Sequence, residues 1–245
     1  MNSHFYISCG FVMAKYSSRE TDSVYQIFTR DYGRLLLFAK SARKPKAKLS
    51  GHLEPGSLSR VYFISSQKKN QYLLIGAVNI FKPEFQFFSH QQFIMFNQAL
   101  SLLKQFCAYD YLEADQIKQF YQLGRNFLHR LNQLSQKPNK LFLLQAHFLF
   151  KLLRYSGLAP NLKACQNCSE ALKNKSLVFY APQAGGLLCG NCAQAGAIKL
   201  SGQAVSLADF LLNQNFGKIK KSNFQPEQLN QAWDLAKAHV KYCLD

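Results

Sequence analysis

The chain has 245 residues, 48% hydrophobic and 14% aromatic, which is enough apolar mass for a sizeable core in one large domain or two smaller ones. Only 18% are charged, which excludes an intrinsically disordered chain, yet Lys and Arg outnumber Asp and Glu by 30 to 13, a formal net charge of +17. That balance predicts an anionic partner (nucleic acid, anionic lipid or an acidic protein tail), and the absence of a secretory leader or a clean transmembrane stretch predicts a cytosolic protein with reduced cysteines.

Five strand-like segments fill the first eighty residues, with turn residues between them. They run roughly His4 to Lys15, Ser23 to Thr29, Arg34 to Lys40, Leu58 to Ser65 and Tyr72 to Ile80. Alternation and β-branched or aromatic content support each. A long connection separates the third from the fourth, and it is cationic: from Lys40 to Lys48 five of nine residues are Lys or Arg and none is acidic. Such a cluster is satisfied by a polyanion, because each neutralised phosphate releases a condensed counterion. The competing reading is a solvated loop that keeps the protein soluble. Five short strands with a long third connection suggest a small OB-fold barrel, although an SH3-like barrel would read similarly. The OB-fold binds single strands on strands two and three and the adjoining loops, with cations tracking phosphates and rings stacking bases. The cations placed there are Arg34, Lys40, Arg43, Lys44, Lys46 and Lys48, with Arg19, Lys68 and Lys69 at the rim. Tyr25 and Phe28 fall on opposite faces of their strand, so at most one can meet a ligand. Tyr32, in a turn, is the ring expected to be exposed.

After Pro83 the period becomes helical. Phe93, Phe96, Leu100, Leu103 and Cys107 mark one buried face. Asp115 is placed to cap a second helix carrying Ile117, Phe120, Tyr121, Leu128, Leu131 and Leu134. Pro138 opens a third, with Leu141, Leu144, Phe148, Leu152 and Tyr155, ending at Gly157. Two more are expected near Val205 to Leu212 and Pro226 to Cys243, with Trp233 and Cys243 in the core. All should pack as one bundle.

Between the third and fourth helices lie CQNC and CGNC: Cys165, Cys168, Cys189 and Cys192. Two C-x2-C pairs at this separation are a zinc signature, each tight turn offering two thiolates to a tetrahedron. Four cysteines close the site, so the ion should be structural. A redox role for one pair is the alternative, and two matched pairs argue against it, since a dithiol exchanger needs only one.

No phosphate loop, dinucleotide fingerprint, H-E-x-x-H or G-x-S-x-G motif is present. Asp110, Glu113 and Asp115 read as a helix boundary, and His52 with Glu54 as structural. The chain is not expected to be an enzyme.

The run TRDYGRLLLFAKSARKPKAKLSGHLEPGSL, then LLRYSGLAPNL leading into CQNC, then LVFYAPQAGGLLCGNC, resemble the RecO family of bacterial recombination mediators. The resemblance implies an α+β chain: an N-terminal five-stranded OB-fold barrel, residues 1–80, then an all-helical domain, 81–245, with a zinc-ribbon-like four-cysteine module, 160–196, inserted. It implies one structural Zn2+ per chain and binding to single- and double-stranded DNA. It also implies annealing of complementary strands and assistance, with RecR, to RecA loading on DNA coated by the single-stranded DNA-binding protein, SSB. The protein would work in the bacterial cytoplasm, at the nucleoid during repair, and not at a membrane. An alternative is an adaptor that binds the acidic SSB tail, through Arg125 and Arg130, with only incidental DNA contact. One departure is Gly56-Ser57, where the family often has an aromatic.

Overall fold

Thirteen residues, Phe5–Ser17, form β1, and this strand is long enough to serve two partners. Its first half, Phe5 to Phe11, pairs antiparallel with β4 (Leu58–Ser65), and its second, Gly10 to Ser17, with β2 (Ser23–Thr29). At the crossing only glycine fits: a Cβ on Gly10 would lie 2.6 Å from Ile27 Cγ2 and 2.9 Å from the Phe28 carbonyl oxygen. A register shift between Val12 and Ala14 then bends the strand. In the computed structural model residues 4–18, 20–43, 49–65, 72–108, 112–134, 138–172, 175–219 and 224–245 are described.

β2 continues into β3 (Gly33–Ala39), and β3 meets β5 (Tyr72–Phe81) in parallel through two residue pairs, Leu37 with Tyr72 and Phe38 with Leu73. β5 pairs antiparallel with β4, so the strands close in the order β1-β2-β3-β5-β4. That closed five-stranded barrel is an OB fold, as expected. Its interior holds Val12, Tyr25, Ile27, Leu35, Leu37, Val61, Phe63 and Leu74, and Leu53 from the β3–β4 connection is buried in the same cluster.

Two helices follow: α1 (His90–Phe106) and α2 (Ala114–Gln133). Ser89 and Gln92 form a capping box on α1, and buried Gln92 also donates from Nε2 to the Leu131 carbonyl at 2.8 Å, fixing the start of α1 to the end of α2. α2 lies against the barrel wall through Tyr121 on Phe11 and Phe120 on Phe28, with ring centroids 6.3 Å and 6.4 Å apart. Its N-cap is Glu113, whose N–H reaches Gln116 Oε1 at 3.1 Å; Asp115 sits inside the first turn and does not cap. Asp110 lies outside the described residues. Phe93, expected in the buried face of α1, is 49% exposed.

By contacts the chain divides into two compact units, residues 1–135 and 136–245. The helices therefore do not form one bundle: α1 and α2 belong with the barrel. In the second unit α3 (Pro138–Tyr155), α4 (Gly202–Asn213) and α6 (Pro226–Leu244) pack on one another, with a short α5 (Phe216–Ile219). A three-stranded sheet, in the order β7-β6-β8, is built from β6 (Leu177–Ala181), β7 (Gly186–Leu188) and β8 (Ile198–Ser201). Trp233 and Cys243 are half-buried and not in the core; Trp233 packs its ring 5.2 Å from Phe142.

Candidate nucleic-acid interface and metal centre

β3 alternates strictly. Leu35, Leu37 and Ala39 point into the barrel, and Arg34, Leu36 and Phe38 point out. Cross-strand register places Tyr16, Val24 and Phe38 in one outward row, with Gln26 and Leu36 in the next. Leu36 is 46% exposed and Tyr16 49%, and the Tyr16 hydroxyl donates to Gln26 Oε1 at 3.1 Å. This outward surface of β1, β2 and β3 is apolar and partly aromatic. Sequence reasoning did not single out Tyr16 or Leu36, although alternation through LLLFA carried the information for Leu36. Tyr25 and Phe28 do lie on opposite faces, but both are fully buried. Tyr25 points into the barrel, and Phe28 points outward beneath α2. Tyr32 is 43% exposed, held edge-on against Tyr6 and Phe63 at centroid distances of 5.6 Å and 5.8 Å.

Of the nine cations singled out by sequence, three are described. Lys40 and Arg43 open the basic loop at the C-terminal end of β3, and both are exposed. Two bonds fix this segment to the β1–β2 turn: the Arg43 N–H donates to the Thr21 carbonyl at 2.9 Å, and the Ser41 N–H donates to Asp22 Oδ1 at 2.8 Å. Arg34 sits at the other end of β3, about 20 Å from Lys40 at a strand rise of about 3.3 Å per residue. It is half-buried and lies close enough to Cys107 to act on it. Burial pushes the Cys107 thiol up to about 12, and the Arg34 charge opposes that rise. Arg34 and the Lys40–Arg43 pair therefore stand at opposite ends of the outward face. Arg19, Lys44, Lys46, Lys48, Lys68 and Lys69 lie outside the described residues.

Acidic groups near the barrel ends are already engaged. Asp31 accepts from Ser8 Oγ at 2.6 Å and pairs with Arg30 at 2.9 Å. Burial would raise its pKa, but the Arg30 and Ser8 bonds outweigh that and hold it below the ordinary value. Glu54 pairs with Lys82 at 2.8 Å, and the His52 carbonyl accepts from Ser59 Oγ at 2.6 Å, so this pair is structural. On α2, Arg125 is exposed and Arg130 half-buried. Five positions along a helix put them about 140° apart around its axis, so they do not share a face.

The four cysteines of the two C-x2-C turns converge. The sulfurs of Cys165, Cys168, Cys189 and Cys192 all lie within 4.8 Å of one another, and Cys168 Sγ is 3.7 Å from Cys189 Sγ. A tetrahedral zinc with Zn–S bonds of about 2.3 Å has S···S edges of about 3.8 Å, so the donor set fits that ion. Each turn aims backbone N–H groups at sulfur. The Cys189 N–H reaches Cys165 Sγ at 3.3 Å. Burial would raise the Cys165 pKa, but backbone N–H groups of Cys168, Cys189 and Asn167 draw it down to about 6. Asn167 Nδ2 donates to Cys192 Sγ at 3.3 Å. Cys165 and Cys189 are buried, whereas Cys168 is exposed and Cys192 half-buried. With four thiolates and no open position, the centre suits a structural ion.

Residues 1–80 match the family model described as Recombination protein O N terminal, and residues 108–245 match the one described as Recombination protein O C terminal. The DNA repair protein RecO of Alkaliphilus metalliredigens (strain QYMF) is 28% identical over 242 residues, covering 96% of this chain and 92% of that protein. The DNA repair protein RecO of Dehalococcoides mccartyi (strain CBDB1) is 27% identical over 250 residues, covering 99% and 92%. That of Moorella thermoacetica (strain ATCC 39073 / JCM 9320) is 27% identical over 239 residues, covering 96% and 85%. No helix among the described residues is long and apolar enough to cross a membrane.

Proposed function

The chain belongs to the RecO family of DNA repair proteins, and from that premise we propose that it is a non-enzymatic recombination mediator that binds DNA through its barrel. The observation that carries this reading is the tie between the start of the basic loop and the β1–β2 turn. It sets Lys40 and Arg43 at one end of the outward face that bears Tyr16, Leu36 and Phe38. Cations at the rim suit the phosphates, and the apolar rows between suit unstacked bases. Lys44, Lys46 and Lys48 continue the same loop, and Arg19, Lys68 and Lys69 are assigned to the rim. The wider role follows the family. The protein would anneal complementary strands and, together with RecR, help RecA replace SSB on single-stranded DNA in the cytoplasm. One Zn2+ would sit on Cys165, Cys168, Cys189 and Cys192 as a structural ion.

Salt dependence tests the contact. Changing Arg43, Lys44 and Lys46 together to Ala should weaken binding to all sequences and flatten the salt slope by roughly 2 to 3 units. An unchanged slope rejects this loop as the contact site. Annealing of SSB-coated complementary strands, with and without the protein, tests the mediator role. The adaptor alternative gains no support from α2, because Arg125 and Arg130 do not share a face.

A further inference from the structure

The carboxylate of Asp22 sits where a phosphate-binding surface should avoid one. One step beyond the last ladder pair of β2 and β3, Ser23 with Ala39, the register brings Asp22 level with Lys40. A fixed anion beside the exposed Lys40 and Arg43 repels the polyanion that those cations attract. Its placement needs a local reason, and the path of the chain supplies one.

β3 ends at Ala39, which is buried in the barrel core, and Ala42 returns to the same core. Lys40 and Arg43 stand in solvent. To leave the core at Ala39 and re-enter it at Ala42 the chain turns sharply at Ser41, whose φ is +55°. That is the left-handed region, which a serine adopts rarely. The carboxylate holds it there: the Ser41 N–H donates to Asp22 Oδ1 at 2.8 Å. A bond from an amide to a carboxylate is about twice as strong as one to a neutral acceptor. Further along, the Arg43 N–H donates to the Thr21 carbonyl at 2.9 Å. Asp22 is itself fixed. Its carbonyl accepts from the Ser18 N–H at 3.2 Å, and its neighbour Ser23 pairs with Ser17 of β1. The carboxylate thus stands on the closed β1–β2 turn and grips the first residues after β3.

We propose that Asp22 is a positioning residue for nucleic-acid binding: its carboxylate holds Ser41 in the left-handed turn and so presents Lys40 and Arg43 to phosphate in a preset arrangement. This rests on the reading of the barrel as the DNA-binding element. Cations that are already placed lose less freedom when a phosphate arrives, so binding is opposed by a smaller ordering entropy. Salt screens the repulsion from one carboxylate, whereas it leaves the ordering of the two cations untouched. The acid therefore helps the contact through geometry more than it opposes it through charge.

Three substitutions in the full-length protein separate geometry from charge. Asp22→Asn removes the charge but keeps an oxygen that can face the Ser41 N–H. Asp22→Glu keeps the charge but carries the carboxylate past that N–H by one methylene. Asp22→Ala removes both. Affinity for a fluorescent single-stranded oligonucleotide is measured across a salt series. Asp22→Asn should bind as tightly as the native protein or up to about threefold tighter, and Asp22→Glu and Asp22→Ala roughly fivefold to tenfold more weakly. Without DNA, the Ser41 and Arg43 amides should exchange hydrogen faster in the Glu and Ala variants than in the native protein or Asp22→Asn. If Asp22→Ala fails to fold, the contrast between Asn and Glu decides alone. Native affinity in Asp22→Glu, with Asn and Ala tighter to the same degree, would make Asp22 a charge and nothing more, and overturns the proposal. Faster amide exchange with native affinity also overturns it, since the clasp would then serve the fold only. If the Arg43, Lys44 and Lys46 triple variant keeps its salt slope, the contact reading falls and this proposal falls with it. A flattened slope there, with equal affinities for every residue at position 22, sinks this proposal alone.

Discussion

The Tyr180 hydroxyl donates to Nδ1 of His239 at 2.5 Å, and the opposite ring nitrogen, Nε2, donates to the Leu158 carbonyl at 2.7 Å. A carbonyl only accepts, so Nε2 carries the hydrogen and Nδ1 must receive it from the tyrosine. One buried ring thus ties the segment after α3, the middle of β6 and the C-terminal helix α6. Burial lowers the His239 pKa below its ordinary 6.5, against the opposing effect of the Leu158 bond. Below pH 6.5 the unfolded chain therefore takes up the proton first, and stability falls with pH from there toward the folded-state value. The expected outcome is a larger drop in denaturant stability from pH 7.5 to pH 5.5 for the native protein than for His239→Gln. Parallel losses in the two would show that this ring does not set the acid limit. At pH 7.5 His239→Ala should cost about 2–3 kcal/mol, since it orphans a buried hydroxyl and a carbonyl.

Lys151 on α3 makes the complementary case. Its Nζ donates to the Leu212 carbonyl at 2.7 Å, and His147 Nε2 lies 3.2 Å from that of Gln214. Arg154 bonds the Asn213 side chain and the same Leu212 carbonyl. Basic side chains of one helix so meet the negative end of α4. Burial lowers the Lys151 pKa from 10.5 to about 8, and Arg154 adds to the effect. Here the unfolded state binds the extra proton between those values, so stability should rise as pH climbs from about 8 toward 10.5. Replacing Lys151 with Met should flatten that rise in urea titrations at stepped pH. A rise of the same size in the variant would remove Lys151 as its cause.

How far the sequence was legible depended on how local each cause was. Alternation within β2 and β3 sorted inward from outward residues because half-burial on a sheet is written two residues apart. The cysteine turns were legible for the same reason: spacing within each C-x2-C sets its own geometry. Phe28 was not. It points outward, yet Phe120, some ninety positions later, covers it. Phe5 and Ile7 show the converse: both are large and apolar, yet 59% and 48% exposed, and nothing local in the sequence marks them as uncovered. The expected single bundle failed because the division of the helices between two units is set by which surface each helix meets, and helical periodicity carries no address.

Gly124 shows how a distant contact reverses a local rule. Within a helix Gly→Ala commonly stabilises by about 1 kcal/mol. In α2 a Cβ at this position would lie 2.7 Å from Cε1 and Cζ of Phe11, whose ring is packed between Phe28 and Tyr121. Gly124→Ala should therefore destabilise, by about 1–3 kcal/mol as the helix is pushed off the barrel. A thermal midpoint at or above that of the native protein would show that the ring yields.

The cysteine centre gives the last expectation. Its sulfurs join the turn after Leu162 to the one after β7, so the binding energy of an ion held there would count as folding energy for the module. One zinc per chain should be found by elemental analysis of the purified protein. Cys168 is exposed, so its side chain contributes little packing, and Cys168→Ser removes a thiolate without opening a cavity. The variant should lose metal and stability together, and chelation of the native protein should reproduce the same thermal shift. DNA affinity measured at low temperature should change much less, because four thiolates around one zinc leave about −2 formal charge, which does not attract phosphate. A variant that kept its thermal midpoint but lost DNA affinity would place the module at the DNA and not in the scaffold.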